Sequence, residues 1–331
     1  MTSDKRVLYT SDKPTLMPSL PGSIDKYIAI KLESVPNKTQ VARLTKRDFG
    51  LPNDVEAIRR RVRYVADKTR ITLKRKPIRR LFFDIETSFC IGWFWRPGKQ
   101  YVRPEQILDP TRIICICYKW QFEDKIHNLR WDKNQDDKAM IEKFVKVLGK
   151  ADEIVAHNGD KFDMKIFRAR AIKQRVLMFP KYRTLDTLTK ARRFFSFPSN
   201  KLDYIGEYLE LGRKVKHEGI SMWKDIILHK DRGALTKMVE YCEGDVVLLE
   251  DVFFALSPYI DHNTNFAVLR GGEKWECPEC SSSNVKFSHT DTTPMGYIKR
   301  HMKCKDCRKF YQISNRTYLR MLQDATQTEE K

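Results

Sequence analysis

Two sets of metal-ligating side chains stand out in this 331-residue chain, one of carboxylates and one of thiols. Asp84 and Glu86 lie in Leu81-Phe82-Phe83-Asp84-Ile85-Glu86-Thr87, which reads as a buried β-strand. Side chains two apart on a strand share a face, so the two acids project together from an apolar element. Like charges in a low-dielectric setting repel and lose hydration, and a divalent cation is the simplest compensation. Taken alone, the pair equally describes a strand end whose acids point into water. Further acids follow. Asp163 opens a predicted helix just beyond a strand ending at Asn158, and Asp245 sits in the apolar segment 238–249, on the same helical face as Tyr241. Four acids beside buried elements can hold two divalent ions ~3.5–4 Å apart, an arrangement that activates water and stabilises the leaving oxygen of a phosphodiester. Tyr241 is placed to hydrogen-bond the attacking water or the scissile phosphate.

The thiols are Cys277-Pro278-Glu279-Cys280 and Cys304-Lys305-Asp306-Cys307. Paired C-x2-C knuckles present four thiolates to a tetrahedral Zn²⁺. This segment has little apolar core, so a structural zinc would supply much of its folding free energy. Paired knuckles argue against a redox dithiol. His289 and His301 read as surface residues and not as ligands. The remaining thiols, Cys90, Cys115, Cys117 and Cys242, are scattered among apolar residues and read as inert core cysteines.

The elements that must position these residues can be read in order. Residues 1–22 read as a flexible N-terminus. Three helices follow over 23–68: Ser23–Leu32, Thr39–Thr45 and Asp54–Val65. In the third, Val55, Ile58, Val62 and Val65 form one apolar stripe, with Arg59, Arg60, Arg61 and Arg63 mostly off it. This is either a helix-turn-helix-like basic module or a small bundle with a solvated face. Residues 69–80 read as a basic linker. The region 81–268 predicts strands at 81–87, 112–120, 125–131, 153–158 and 183–187, and helices at 136–150, 162–170, 186–195, 201–211 and 233–256. That order fits an α/β fold in which an antiparallel meander feeds a parallel portion, a mixed sheet flanked by helices. Within 88–110, Phe89, Trp93, Phe94, Trp95 and Tyr101 alternate with Arg96, Lys99 and Arg103. Such a mixture stacks bases and holds phosphates, or it tucks onto the core. The cysteine segment spans 272–315, and 316–331 reads as a tail that is disordered from Gln323 onward.

Three of these stretches, Asp84-Ile85-Glu86, Asn158-Gly159-Asp160-Lys161-Phe162-Asp163 and Tyr241-Cys242-Glu243-Gly244-Asp245, resemble in order the three motifs of the DEDD superfamily of 3′–5′ exonucleases, in its tyrosine branch. Leu185-Asp186-Thr187-Leu188 and Lys201-Leu202-Asp203-Tyr204 are also similar to that family. The resemblance covers roughly 81–260. It implies an RNase H-like fold and release of nucleotides from a 3′ end with two Mg²⁺ or Mn²⁺. By the same likeness Asp84, Glu86 and Asp245 bind metal, Asp163 completes the site and Tyr241 orients the water. Asp160 and Glu243 do not match the acidic positions. The cysteine segment resembles a zinc ribbon, its arm carrying Lys286, Lys299, Arg300, Lys303, Lys305, Arg308 and Lys309 with Phe287, Tyr297, Phe310 and Tyr311.

The net charge is +20, and residues 1–80 hold 20 Lys/Arg against 8 Asp/Glu. This asymmetry points to a polyanion, most simply nucleic acid. DNA is favoured over RNA as a lean and not a deduction, since no residue here reads a 2′-hydroxyl. No apolar run approaches the ~20 residues needed to span a bilayer, and the N-terminus lacks the apolar core of a secretory signal. The cysteine pattern is not that of a disulfide-stapled secreted domain. The expectation is a cytoplasmic or nucleoid nuclease without an attached polymerase, serving phage or mobile-element DNA replication, repair or processing beside partner proteins. The competing expectations are a nucleic-acid-binding protein that uses the core as a scaffold, and an exoribonuclease with the same chemistry.

Overall fold

The computed structural model describes residues 22–34, 38–52, 55–68, 78–96, 98–99, 101–121, 123–212, 219–261 and 263–329. Residues 1–21 and most of the expected basic linker lie outside the described residues. Two compact units are defined: Met1–Lys76 with Leu269–Gly272, and Pro77–Val268 with Glu273–Lys331.

The first unit contains the three expected helices, α1 (Gly22–Ser34), α2 (Lys38–Asp48) and α3 (Val55–Lys68). Ile24, Ile28 and Leu32 of α1, Val41 and Ala42 of α2, and Ile58, Val62 and Val65 of α3 form its buried core. One arginine departs from the expected solvated face. Arg61 is buried and donates through Nε to Asp25 at 2.9 Å, so it ties α3 to α1.

The second unit is built on a five-stranded mixed sheet. Strand β1 (Arg80–Thr87) is followed by a two-residue strand β2 (Ile91–Gly92), β3 (Ile107–Asp109), β4 (Ile113–Trp120), β5 (Ile126–Arg130), helix α4 (Lys138–Leu148) and β6 (Glu153–Ala156). Then come α5 (Asp163–Lys173), β7 (Thr184–Asp186), α6 (Thr187–Phe194), α7 (Leu202–Tyr208), α8 (Ile220–Leu228), α9 (Arg232–Leu256) and a single turn α10 (Phe266–Leu269). The sheet order is β5-β4-β1-β6-β7. Strand β1 is central, antiparallel to β4 and parallel to β6, and β7 extends the parallel side. The expected meander feeding a parallel portion is therefore present: a mixed α/β sheet flanked by helices, consistent with an RNase H-like fold.

The period-2 alternation of β1 divides the core into two layers. Phe82 faces α9, its ring 5.4 Å from that of Phe253. Phe83 faces the other way, onto Phe144 of α4 at 5.4 Å, and Phe144 in turn meets Phe167 of α5 at 5.3 Å. Rings buried to this degree contribute roughly 1.5–3 kcal/mol each. Asp137, just before α4, is fully buried. It accepts two hydrogen bonds from Arg170 (2.7 and 2.9 Å), one from Gln174 (2.8 Å) and one from the Ile113 backbone (3.1 Å). Burial favours its neutral form, but those donors outweigh it and hold the carboxyl below its ordinary value.

The remainder of the second unit is a three-stranded antiparallel sheet, β8 (Val285–Thr292), β9 (Ile298–Cys304) and β10 (Phe310–Ser314), with β9 in the middle, and helix α11 (Asn315–Glu329). The expected tail is thus corrected: the helix runs through Gln323 to Glu329. Its first turns pack on the sheet, where Tyr318 meets Phe287 at 5.4 Å and the Arg300 guanidinium at 5.1 Å. The linker boundary is corrected too. Arg80 is not a linker cation but the fully buried first residue of β1.

Candidate active site and cysteine centre

Asp84 and Glu86 leave β1 on the face that packs against α9, and Asp245 on α9 comes down to meet them. One carboxylate oxygen from each lies within 4.8 Å of the others. Asp84 and Glu86 are half-buried, while Asp245 is almost fully buried. Three hard oxygen donors on core elements are the donor set that suits Mg²⁺ or Mn²⁺. Tyr241, one turn earlier on α9, is also buried.

Asp163 stands apart from that trio. It is buried as the first residue of α5 and does not join the cluster. The loop that delivers it is tightly specified. Asn158 takes a left-handed conformation (φ 69°), which Asn tolerates better than most residues. At Gly159 a Cβ would lie 2.4 Å from the Ala156 Cβ, so only glycine fits. The carboxylate of Asp186 then accepts the backbone N–H groups of Asn158 (3.1 Å) and Asp160 (3.3 Å), and also caps α6 through Thr189 (3.1 Å). Asp186 was absent from the expected site. Its signal lay in Leu185-Asp186-Thr187-Leu188, where a buried strand ends in an N-cap acid. The two acids set aside on motif grounds sit elsewhere: Asp160 is exposed, and Glu243 accepts from Asn128 of β5 at 2.7 Å.

Trp223 of α8 is a second residue that sequence reasoning missed. Its indole donates to the carbonyl of Thr87 at 3.0 Å, directly after Glu86. Thr87, Ser88, Phe89, Ile220 and Trp223 line a cleft of about 400 Å³ at the end of β1. The signal for α8 was the spacing of Met222, Ile226 and Ile227, all buried.

On the neighbouring strand, Cys117 pairs with Asp84 and Cys115 with Glu86. These thiols and Cys242 lie within 4.8 Å of one another, and Cys242 donates to Asp84 Oδ2 at 3.7 Å. Burial pushes the Cys242 thiol well above its ordinary value. A buried thiol with that shift is a poor nucleophile, as expected for a core cysteine. Cys90 is the exception to that expectation, for it is exposed.

Cys277, Cys280, Cys304 and Cys307 converge as the spacing demands. Their sulfurs lie within 4.8 Å of one another, with Cys277–Cys307 at 3.5 Å and Cys280–Cys304 at 3.6 Å. The residue after each second cysteine, Ser281 (φ 59°) and Arg308 (φ 63°), turns left-handed. Cys304 N donates to Lys309 O across the second knuckle at 2.9 Å, and Cys277 N to Ser282 O across the first at 2.9 Å. Four soft donors around one point fit Zn²⁺. The stacked His289–His301 pair, with ring centroids 4.0 Å apart, is not part of this cluster.

Each knuckle also sends one charged side chain onto the larger sheet's layer. Glu279 accepts from the Arg80 guanidinium (2.9 Å), which also donates to Glu153 (2.8 Å) and Gln121 (2.9 Å). Lys309 is buried and donates to the carbonyls of Ser257 (2.5 Å) and Ile260, just past the end of α9. Burial pulls its pKa down to about 8. The basic arm is therefore smaller than expected. Lys309 is inside, the Arg300 guanidinium lies beside the contacting rings of Phe287 and Tyr318 (5.9 and 5.1 Å), and Tyr311 donates to Trp275 O at 2.6 Å.

Residues 108–257 match the profile of the RNase_H superfamily. That span includes Asp163, Tyr241 and Asp245 and begins after β1. Among solved structures, the chain is similar to the family B DNA polymerase of the hyperthermophilic archaeon Pyrobaculum calidifontis, at 19% identity and a TM-score of 0.44 over 55% of this chain. The match covers 25% of that polymerase. A search of curated proteins gave no match. The fold and the superfamily match support a nuclease, and a nuclease implies a nucleic-acid substrate.

Proposed function

We propose that the protein is a metal-dependent 3′–5′ exonuclease that hydrolyses phosphodiester bonds, with DNA as its favoured substrate and a role in phage or mobile-element DNA replication, repair or processing. The observation that carries this reading is the Asp84–Glu86–Asp245 cluster at the sheet's centre, with Tyr241 one turn away on the same helix face. Bound Mg²⁺ or Mn²⁺ ions would supply a nucleophilic water at neutral pH and charge stabilisation at the leaving oxygen. Asp84, Glu86 and Asp245 would hold them, with Asp163 completing the set. Tyr241 orients the attacking water through its hydroxyl. The cleft formed by Thr87, Phe89 and Trp223 seats the terminal nucleotide beside Glu86. The four-cysteine centre, holding one Zn²⁺, is structural. The basic N-terminal helices add salt-sensitive, sequence-independent affinity for the polyanion.

The test uses single-stranded DNA labelled at either end, with Mg²⁺ or Mn²⁺, beside an Asp84→Ala variant. The expected result is a ladder that shortens from the 3′ end and is abolished by the variant and by chelation. Intact DNA and RNA with either metal would overturn the reading.

A further inference from the structure

Strand β1 is followed by a short hairpin, β2–β3, whose stem is fixed by more than its two-residue and three-residue strands. Trp93 N donates to Gln106 O at 3.0 Å, and the Gln106 side chain returns the contact by donating to Trp93 O at 3.1 Å. The same side-chain amide accepts from Arg103 N at 2.9 Å. At Gly92 a Cβ would stand 2.6 Å from Gln106 O, so the two arms close fully only over glycine. Above this stem the aromatic residues are not tucked onto the core. Trp95 is 90% exposed and Tyr101 85%, with Phe94 and Trp93 also exposed. The rings of Trp93 and Trp95 meet edge to face at 6.0 Å. Lys99 and Arg103 lie exposed among them. Exposed aromatic area on a fixed stem is solvation lost without folding gain, and clustered patches of this kind mark interaction sites.

We propose that this hairpin is a stacking platform for single-stranded nucleic acid, which holds the strand upstream of the end seated at Glu86. Trp95 and Tyr101 stack bases, and Lys99 and Arg103 follow the phosphates. Every base has a π-face, so such a platform is sequence-tolerant, and the cations match a polyanion on a chain of net charge +20. Chain connectivity keeps the platform near the site, because Trp93 follows Glu86 by seven residues. The inference rests on the proposed nuclease reading for its geometry, but binding can be measured without cleavage.

The experiment measures fluorescence anisotropy of labelled oligo(dT), oligo(rU) and a DNA duplex of equal length. The proteins are the full-length Asp84→Ala chain and the same chain carrying Trp95→Ala or Tyr101→Ala. Both rings are exposed, so thermal midpoints should be unchanged. The expected result is a loss of single-strand affinity of about tenfold or more for each ring removed, with the duplex affected far less. Oligo(dT) should also quench tryptophan fluorescence in the parent and less so in the Trp95 variant. Single-strand affinities equal to the parent's would overturn the platform and leave the patch to a protein partner. Loss of binding alongside a wild-type protein that cleaves nothing would sustain the platform and refute the exonuclease.

Discussion

The carboxylate cluster and the cysteine cluster bring their ligands equally close, yet the chain builds them in opposite ways. Asp84, Glu86 and Asp245 come from the central strand and the longest helix, 161 positions apart at the extremes. Their places are set by Phe82 against Phe253 and by the β1–β4 register, contacts that exist whether or not a cation is bound. The four cysteines come from two turns 30 residues apart at the extremes, and few buried apolar side chains lie near them. One site is a pre-formed scaffold with unfavourable charge at its centre. The other has little apolar packing around its sulfurs, so its folded form is expected to depend on a bound metal. A metal is therefore expected to change chemistry in the first and structure in the second.

Removing a ligand from each site separates these cases. The larger structural effect is expected for Cys304→Ser, because apparent zinc-binding free energies in small Cys sites are about 10–16 kcal/mol and constitute folding energy. Atomic emission should find one zinc per wild-type chain and none in the variant, and residues 273–329 of the variant should lose protection in hydrogen exchange while the larger sheet keeps it. Retained protection throughout the cysteine segment would remove the distinction. For Asp84→Ala the expected loss is in rate, about 10²–10³-fold or more, as for removal of one transition-state stabiliser. Its melting temperature without added metal should stay level or rise, since one of three crowded like charges is gone. A marked fall would mean that the acids stabilise the fold, contrary to the comparison.

Asp137 sharpens the point, because it is a buried carboxylate that the protein itself compensates. Its folded pKa lies below its unfolded value, so its contribution to stability is present above the unfolded pKa of ~3.9 and is lost as pH falls through the folded one. Asp137→Asn should cost about 1.5–3 kcal/mol at pH 7, the worth of a hydrogen bond to a charged group. The variant should also lose less stability than the wild type on acidification, read from urea midpoints. Parallel pH profiles would show that Arg170 and Gln174 do not supply the compensation.

What was legible in the sequence follows the same physics. Alternation made β1 readable, and the acids were found because an apolar strand and an apolar helix each carried them. The knuckles were readable from spacing alone. Strands β2 and β3 escaped because two or three residues have no period, so only the structure decides between an exposed crown and a tucked loop. Arg80, Arg61 and Lys309 escaped because a cation in a basic stretch gives no local sign of burial. Their partners, Glu279, Asp25 and the carbonyls beyond α9, lie 36 to 199 positions away or outside any motif. Trp223 was obscured for a related reason, since its contact is to a backbone carbonyl 136 positions earlier.

Those distant pairs join the two contrasted regions. Glu279 sits between two zinc-type ligands and holds Arg80, the first residue of the strand that carries Asp84 and Glu86. Lys309, two residues past Cys307, holds the chain just beyond the helix that carries Asp245. Glu279→Gln keeps the shape of the side chain and removes its charge, while Arg80 retains Glu153 and Gln121. The expected cost is small, about 1 kcal/mol, since the Glu279 end is partly open to solvent. Its value lies in the form of the unfolding curve. If the two regions share one cooperative transition through this contact, calorimetry of the zinc-loaded variant should show that transition broaden or split, with zinc content unchanged. A single sharp transition at the wild-type temperature would mean that the two regions still unfold together and that the Glu279–Arg80 contact is not what couples the cysteine centre to the strand carrying Asp84 and Glu86. The coupling would then rest on other contacts, with Lys309 and the carbonyls beyond α9 the next to remove.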